Sequence, residues 1–271
     1  MSFIDQFVNW ANNELLQNEE AKDYLYGRGV IELQINRHRL GFISSDYHVD
    51  SKLDKNHDEE ICGNTELVHR WCDSCRFTRW SSEYKRVGGE KILSVGTRII
   101  GNIVLPMTSY SGNIVGFQVR SIIGKNFDSF TILKRSECHF FGTAANIDSI
   151  WKNKEVFVVE GPFDCLTFER LVVPNVVALM TSAPGTGQVK FFRRFVDTIN
   201  LCLDNDKAGR DGVKSFFGKF GGTHNINDIR FGNIKKLDGK ICKDVNEVWS
   251  FLGDEKTKRL FKTLVEKGKL K

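Results

Sequence analysis

The chain has 271 residues, 41% hydrophobic and 27% charged, with a formal net charge of +5 and a pI near 8.8. That is room for one large or two modest domains of ordinary globular composition. No apolar run approaches the roughly 18 residues of a membrane helix, and the opening Met-Ser-Phe-Ile-Asp lacks the regions of a signal peptide, so a cytoplasmic protein with no membrane partner is expected.

Residues 3–16 place Phe3, Ile4, Phe7, Val8, Leu15 and Leu16 at helical spacing. Residues 19–43 read as two short helices around a Gly27–Gly29 break, and 44–60 as a polar loop. Short strands follow over roughly 92–141. Asn102–Thr108 and Ile114–Arg120 are joined by Ser109-Tyr-Ser-Gly-Asn113, a hairpin signal. From about 150 the pattern alternates. Strands are expected at 155–159, 176–180, 199–203 and 226–231, and helices at 163–171, 187–197, 208–220 and 255–267. That alternation is the signature of an α/β fold with a parallel sheet. Gly185-Thr-Gly187 lacks the Lys-Ser/Thr ending of a nucleotide loop and is read as an ordinary strand-to-helix turn.

Two of these strands end in acid. Val156-Phe-Val-Val runs into Glu160-Gly161, and Leu201-Cys-Leu runs into Asp204-Asn-Asp206. In open α/β sheets ligands gather beyond the carboxyl ends of the strands, so Glu160, Asp204 and Asp206 are expected at one edge. Three carboxylates there suit Mg²⁺ or Mn²⁺, hard cations that take oxygen ligands and serve phosphoryl chemistry. Asp164 lies about one helical turn after Glu160 and is a candidate to support the same ion.

The strand ending in Glu-Gly and the later strand ending in Asp-x-Asp resemble the Toprim domain, over about 154–250. Tyr24-Leu-Tyr-Gly27-Arg28-Gly29-Val30, Leu40-Gly41-Phe42, Val104-Leu-Pro-Met and Gly112-Asn-Ile-Val-Gly-Phe-Gln-Val-Arg120 further resemble, in order, the bacterial-type (DnaG-like) primase catalytic core. The resemblance implies a Toprim parallel sheet flanked by helices, preceded by a mixed α+β basic subdomain. Its expected divisions are 1–150, 151–250 and a C-terminal helix over 251–271. It implies that Asp244, in Lys243-Asp244-Val-Asn246-Glu247, joins the acidic cluster. It also implies that Arg120, with Lys134 or Arg135, holds template or nucleotide phosphate. Each of these cations is equally readable as a solvated surface charge. Read as exposed, Arg120 is expected to contribute nothing to stability.

The implied activity is synthesis of short RNA primers on single-stranded DNA from NTPs. A replicative helicase or a separate zinc-binding protein is the implied partner, and a phage source fits. Two other readings stay open: a Toprim nuclease cleaving RNA or DNA, and a non-catalytic single-stranded nucleic-acid-binding accessory protein. Of seven cysteines, Cys138, Cys165, Cys202 and Cys242 read as free thiols. Cys62, Cys72 and Cys75 contain a Cys-x2-Cys knuckle which, with His57, offers four ligands for Zn²⁺ within 57–80. Free thiols are the alternative there.

Overall fold

The computed structural model describes residues 3–45, 78–79, 94–95, 99–124, 127–131, 140–181 and 183–268. Cys62, Cys72, Cys75, His57, Cys138, Lys134 and Arg135 lie outside them. The chain forms two compact, interleaved units. The first comprises 1–24, 35–106 and 114–132, and the second 25–34, 107–113 and 133–271.

In the first unit, helix α1 (Phe3–Gln17) buries Phe7, Val8, Ala11 and Leu15 completely, one stripe of an amphipathic helix. Two short helices follow, α2 (Glu19–Gly27) and α3 (Glu32–Arg37), of which residues 25–34 belong to the second unit. A small sheet has the order β1 (Gly41–Phe42), β4 (Asn102–Thr108), β5 (Ile114–Ser121), β6 (Phe127–Thr131). The short antiparallel pair β2 (Thr78–Arg79) and β3 (Ser94–Val95) stands apart from it. Strands β4 and β5 form the expected hairpin, closed by Ser109 N–H to Asn113 O at 2.9 Å.

The second unit is the α/β part. Helix α4 (Thr143–Asn153) leads into β7 (Glu155–Val159) and α5 (Pro162–Leu171). Then come β8 (Val176–Ala178), α6 (Thr186–Phe195), β9 (Thr198–Leu201), α7 (Lys207–Phe220) and β10 (Asn225–Asp228). A final helix, α8 (Val245–Gly268), kinks at Gly253, whose φ of 73° is left-handed. The sheet order is β10-β9-β7-β8 and every pairing is parallel. Val156 to Val159 are completely buried, as expected of a strand covered on both faces. Phe192 anchors the helical layer, with ring centroids of Phe140, Phe216 and Phe220 at 5.0, 5.6 and 5.5 Å. Inside the sheet the fully buried Asn200 receives Asn227 Nδ2 at 2.8 Å and donates to Glu155 Oε1 at 2.9 Å. This satisfies polar groups that would otherwise be costly.

Two elements depart from the sequence expectation. Helix α4 was not foreseen, although Ile147, Ile150 and Trp151 carry its periodicity. The final helix is two helical stretches joined at the non-helical Gly253; the stretch after it is the expected one, and the stretch that begins at Val245 was not foreseen. Asp244 initiates it, because its Oδ1 accepts the Glu247 amide at 2.6 Å, the bond an N-cap makes.

Candidate acidic metal site

The backbone delivers the acids. Strand β7 ends at Val159, and Glu160 follows before the turn into α5. Strand β9 ends at Leu201, and Asp204 and Asp206 lie on the short link to α7. Because β7 and β9 are parallel neighbours, both links leave the same sheet edge. The Asp204 amide donates to Glu160 Oε1 at 3.2 Å, so the two links are joined directly. Asp206 caps α7 by accepting the Gly209 amide at 2.9 Å.

A lysine stands between the aspartates. Lys243 Nζ lies 3.0 Å from Asp204 Oδ2 and 3.1 Å from Asp206 Oδ2. Its own carbonyl accepts the Asn205 amide at 2.7 Å, which ties the loop before α8 to the aspartate loop. Among the described residues no three His, Cys, Asp or Glu side chains converge into a ready metal cage. The donor set nevertheless fits a hard divalent ion, since the aspartate pair already holds a cation, and Mg²⁺ commonly takes one or two carboxylates and keeps its waters.

Asp164 and Asp244 lie behind this edge. Asp164 is only 6% exposed, and its Oδ1 accepts the Asn246 amide at 2.9 Å. Asn246 Nδ2 also donates to Arg28 O and Thr167 Oγ1, at 2.8 and 2.9 Å. Glu247 Oε2 receives the Lys243 amide at 3.0 Å and the Lys236 ammonium at 2.9 Å. Lys243, Asn246 and Glu247 therefore hold the acidic loops in place. Sequence reasoning gave them no role, although all three sit in the segment it singled out.

Charge crowding shows in the proton affinities. Burial, with Asp204 alongside, pushes the Glu160 carboxyl up to about 7. Burial raises Asp204 despite Lys243, and raises Asp164 together with Asp244 and Asp204. Asp206 is lowered: burial opposes ionisation, but the Gly209 amide and Lys243 outweigh it. Lys243 is held above the ordinary lysine range, first by its hydrogen bond to Asp204.

Glu160 carries a stability consequence. Between pH 4.5 and about 7 the folded carboxyl keeps a proton that the unfolded chain has released. Its favourable contribution is complete below that window and disappears as pH rises through it. In chelator, the melting temperature of the parent relative to Glu160→Gln should fall steadily across that range. A difference independent of pH would contradict this environment for Glu160.

The other named residues are placed as follows. Arg120 lies in the first unit on β5, only 6% exposed, with Nε 3.3 Å from the Tyr24 hydroxyl. The expectation of an exposed arginine without structural weight is therefore corrected: strand packing buries it, and its loss would leave buried partners unmatched. Cys165, Cys202 and Cys242 are free and buried, as expected. Beside Asp204, a cleft is lined by Asn205, Arg210, Asp228 and Arg230. The two arginines were missed because nothing in their local sequence marks them. Among the described residues no helix is long and apolar enough to cross a membrane.

The stretch that holds this parallel sheet and the acids at its strand ends, residues 157–249, matches the Toprim-like family. In fold, the chain is similar to DnaG primase catalytic cores. It superposes on the zinc-binding and RNA polymerase domains of the Aquifex aeolicus primase with a TM-score of 0.68 at 20% identity, covering 96% of this chain and 59% of that one. A DnaG primase catalytic domain bound to ssDNA gives 0.67 at 17% identity, covering 97% and 76%. The DNA primase of Thermotoga maritima is 26% identical over 257 residues, 92% of this chain. The chain spans 40% of that relative's length.

Proposed function

We propose that the chain is a DNA primase that makes short RNA primers on single-stranded DNA by metal-dependent nucleotidyl transfer. The observation that carries this reading is the aspartate pair, bridged by the Lys243 ammonium, beside Glu160 at one sheet edge, in a chain with a fold like that of primase cores. Glu160, Asp204 and Asp206 would hold Mg²⁺ or Mn²⁺. When bound, the metal supplies charge stabilisation at the reacting phosphate and lowers the proton affinity of the attacking hydroxyl.

The chain's own residues do the rest. Asp164 and Asp244 hold the start of α8 and, through it, the Lys243 loop. Arg210 and Arg230, in the cleft beside Asp204, draw in the triphosphate. Lys134 and Arg135 would meet template phosphate, where contacts fix position without reading sequence, and the buried Arg120 is left out of that role. Zn²⁺ binding by Cys62, Cys72, Cys75 and His57 belongs to the same proposal, and the zinc content of the purified chain tests it. A replicative helicase or a separate zinc-binding protein is the proposed partner.

Incorporation of labelled NTPs on single-stranded DNA tests the activity, with Mg²⁺ or Mn²⁺ and with chelator. Short RNA products that require metal are expected. Cleavage of the template without incorporation would overturn the reading in favour of a nuclease.

A further inference from the structure

The second unit carries a cluster of aromatic rings at the sheet edge opposite the acids. Helix α4 ends just before β7 begins, and α6 ends just before β9 begins. Residues 151–154 and 193–197 therefore border the amino ends of the same strands whose other ends lead to Glu160 and Asp204. The Asp197 amide joins these two borders by donating to Lys154 O at 2.8 Å. A strand of five residues, such as β7, separates the two edges by roughly 16 Å at about 3.3 Å per residue.

Three rings meet there around Phe195. Trp151 lies 5.7 Å from it and Tyr110, on the hairpin turn, 5.4 Å. Trp151 is 42% exposed and Tyr110 49%, so beyond their contact with Phe195 large parts of both rings face water. The Arg194 guanidinium lies 5.3 Å from the Phe195 ring centroid. The flanking segments 148–154 and 190–197 carry Lys152, Lys154, Lys190, Arg193 and Arg194 against Asp148 and Asp197. All seven of those charged side chains are exposed.

Exposed aromatics interleaved with an excess of cations are what a single strand of nucleic acid requires. Its unpaired bases offer faces for stacking, and its phosphates pair with the cations. A duplex keeps its bases stacked on one another and so gains only the charge contribution. We infer that Tyr110, Trp151 and Phe195, with Arg193 and Arg194, form a second binding surface for single-stranded nucleic acid, distinct from the acidic site. This surface rests on the chemistry of the patch and stands whether or not the chain makes primers.

The test measures equilibrium binding of a fluorescein-labelled oligothymidylate to the full chain in chelator, without nucleotides, so that failure of primer synthesis leaves the result untouched. Trp151→Ala should weaken binding by about 5- to 100-fold, the range for one lost base stack, and Trp151→Phe should restore most of it. Arg193→Gln with Arg194→Gln should flatten the slope of log affinity against log salt by about 1.4, at roughly 0.7 per phosphate contact. Tyr110→Ala, on the hairpin turn, repeats the stacking test on a separate element should the tryptophan variant melt early. Parental oligothymidylate binding by folded Trp151→Ala and Tyr110→Ala overturns the proposal and leaves the patch to a protein partner. An equal loss for a duplex overturns it too.

Discussion

Asp204→Asn should lower metal-dependent primer synthesis by at least about a hundredfold while leaving the protein folded. The substitution keeps the shape of the side chain and removes its charge. A carboxylate that holds the metal contributes charge stabilisation of several kcal/mol, and about 3 kcal/mol corresponds to roughly a hundredfold in rate. The effect on stability has the opposite sign. Burial already raises Asp204, so its ionised form is costly in the folded state without metal. The amide relieves that cost, and the variant should melt in chelator at or above the parent's temperature. Primer assays and thermal melts run on the same preparations check both arms. Synthesis within a few-fold of the parent would remove Asp204 from the metal site.

Gly209→Ala should damage the site without touching a single acid. A Cβ built at Gly209 falls 2.0 Å from Asp204 O, 2.9 Å from Asp204 C and 3.0 Å from Asp204 N. All three are backbone atoms, so no side chain can turn away. The 204–206 loop must shift, carrying both aspartates and breaking the Gly209–Asp206 cap. Overpacking of this kind costs about 1–3 kcal/mol, and a misplacement of about 1 Å in a reacting group costs on the order of a hundredfold in rate. Gly218, on the same helix with nothing within 4 Å of its Cβ position, is the control. Gly218→Ala should stabilise by about 0.5–1 kcal/mol and keep activity, because alanine is the better helix former. Equal behaviour of the two variants in melting and synthesis would refute the close approach at Gly209.

Much of the second unit was legible because its signals are local. An apolar run that stops at an acid marks both a buried strand and the edge where it ends, so Glu160, Asp204 and Asp206 were found together. The expected strand 155–159 is the observed one, since four consecutive buried residues leave little latitude. The supporting residues were not legible in the same way. Arg28 Nη1 lies 3.3 Å from Asn246 Oδ1 across a separation of 218 residues, and no periodicity encodes such a pair. The Lys243 bridge is of the same kind: the lysine adjoins a recognised acid, but its position between two others follows only from the folded loops. Arg120 was misjudged because a charge on a strand reads as solvent-facing until the packing on that face is known.

The interleaving of the units bears on how the chain reaches its native state. Residues 25–34 belong with the unit that otherwise comprises 107–113 and 133–271, and Gln34 donates to Leu166 O at 2.8 Å. That segment leaves the ribosome long before its partners exist, and its bonds to α5 and α8, from Gln34 to Leu166 O and from Asn246 to Arg28 O, wait until those helices arrive. Native pairing across so many residues raises contact order and slows closure. A fragment beginning at residue 133 would lack 25–34 and 107–113, two pieces of its own unit, and cannot be expected to mature alone.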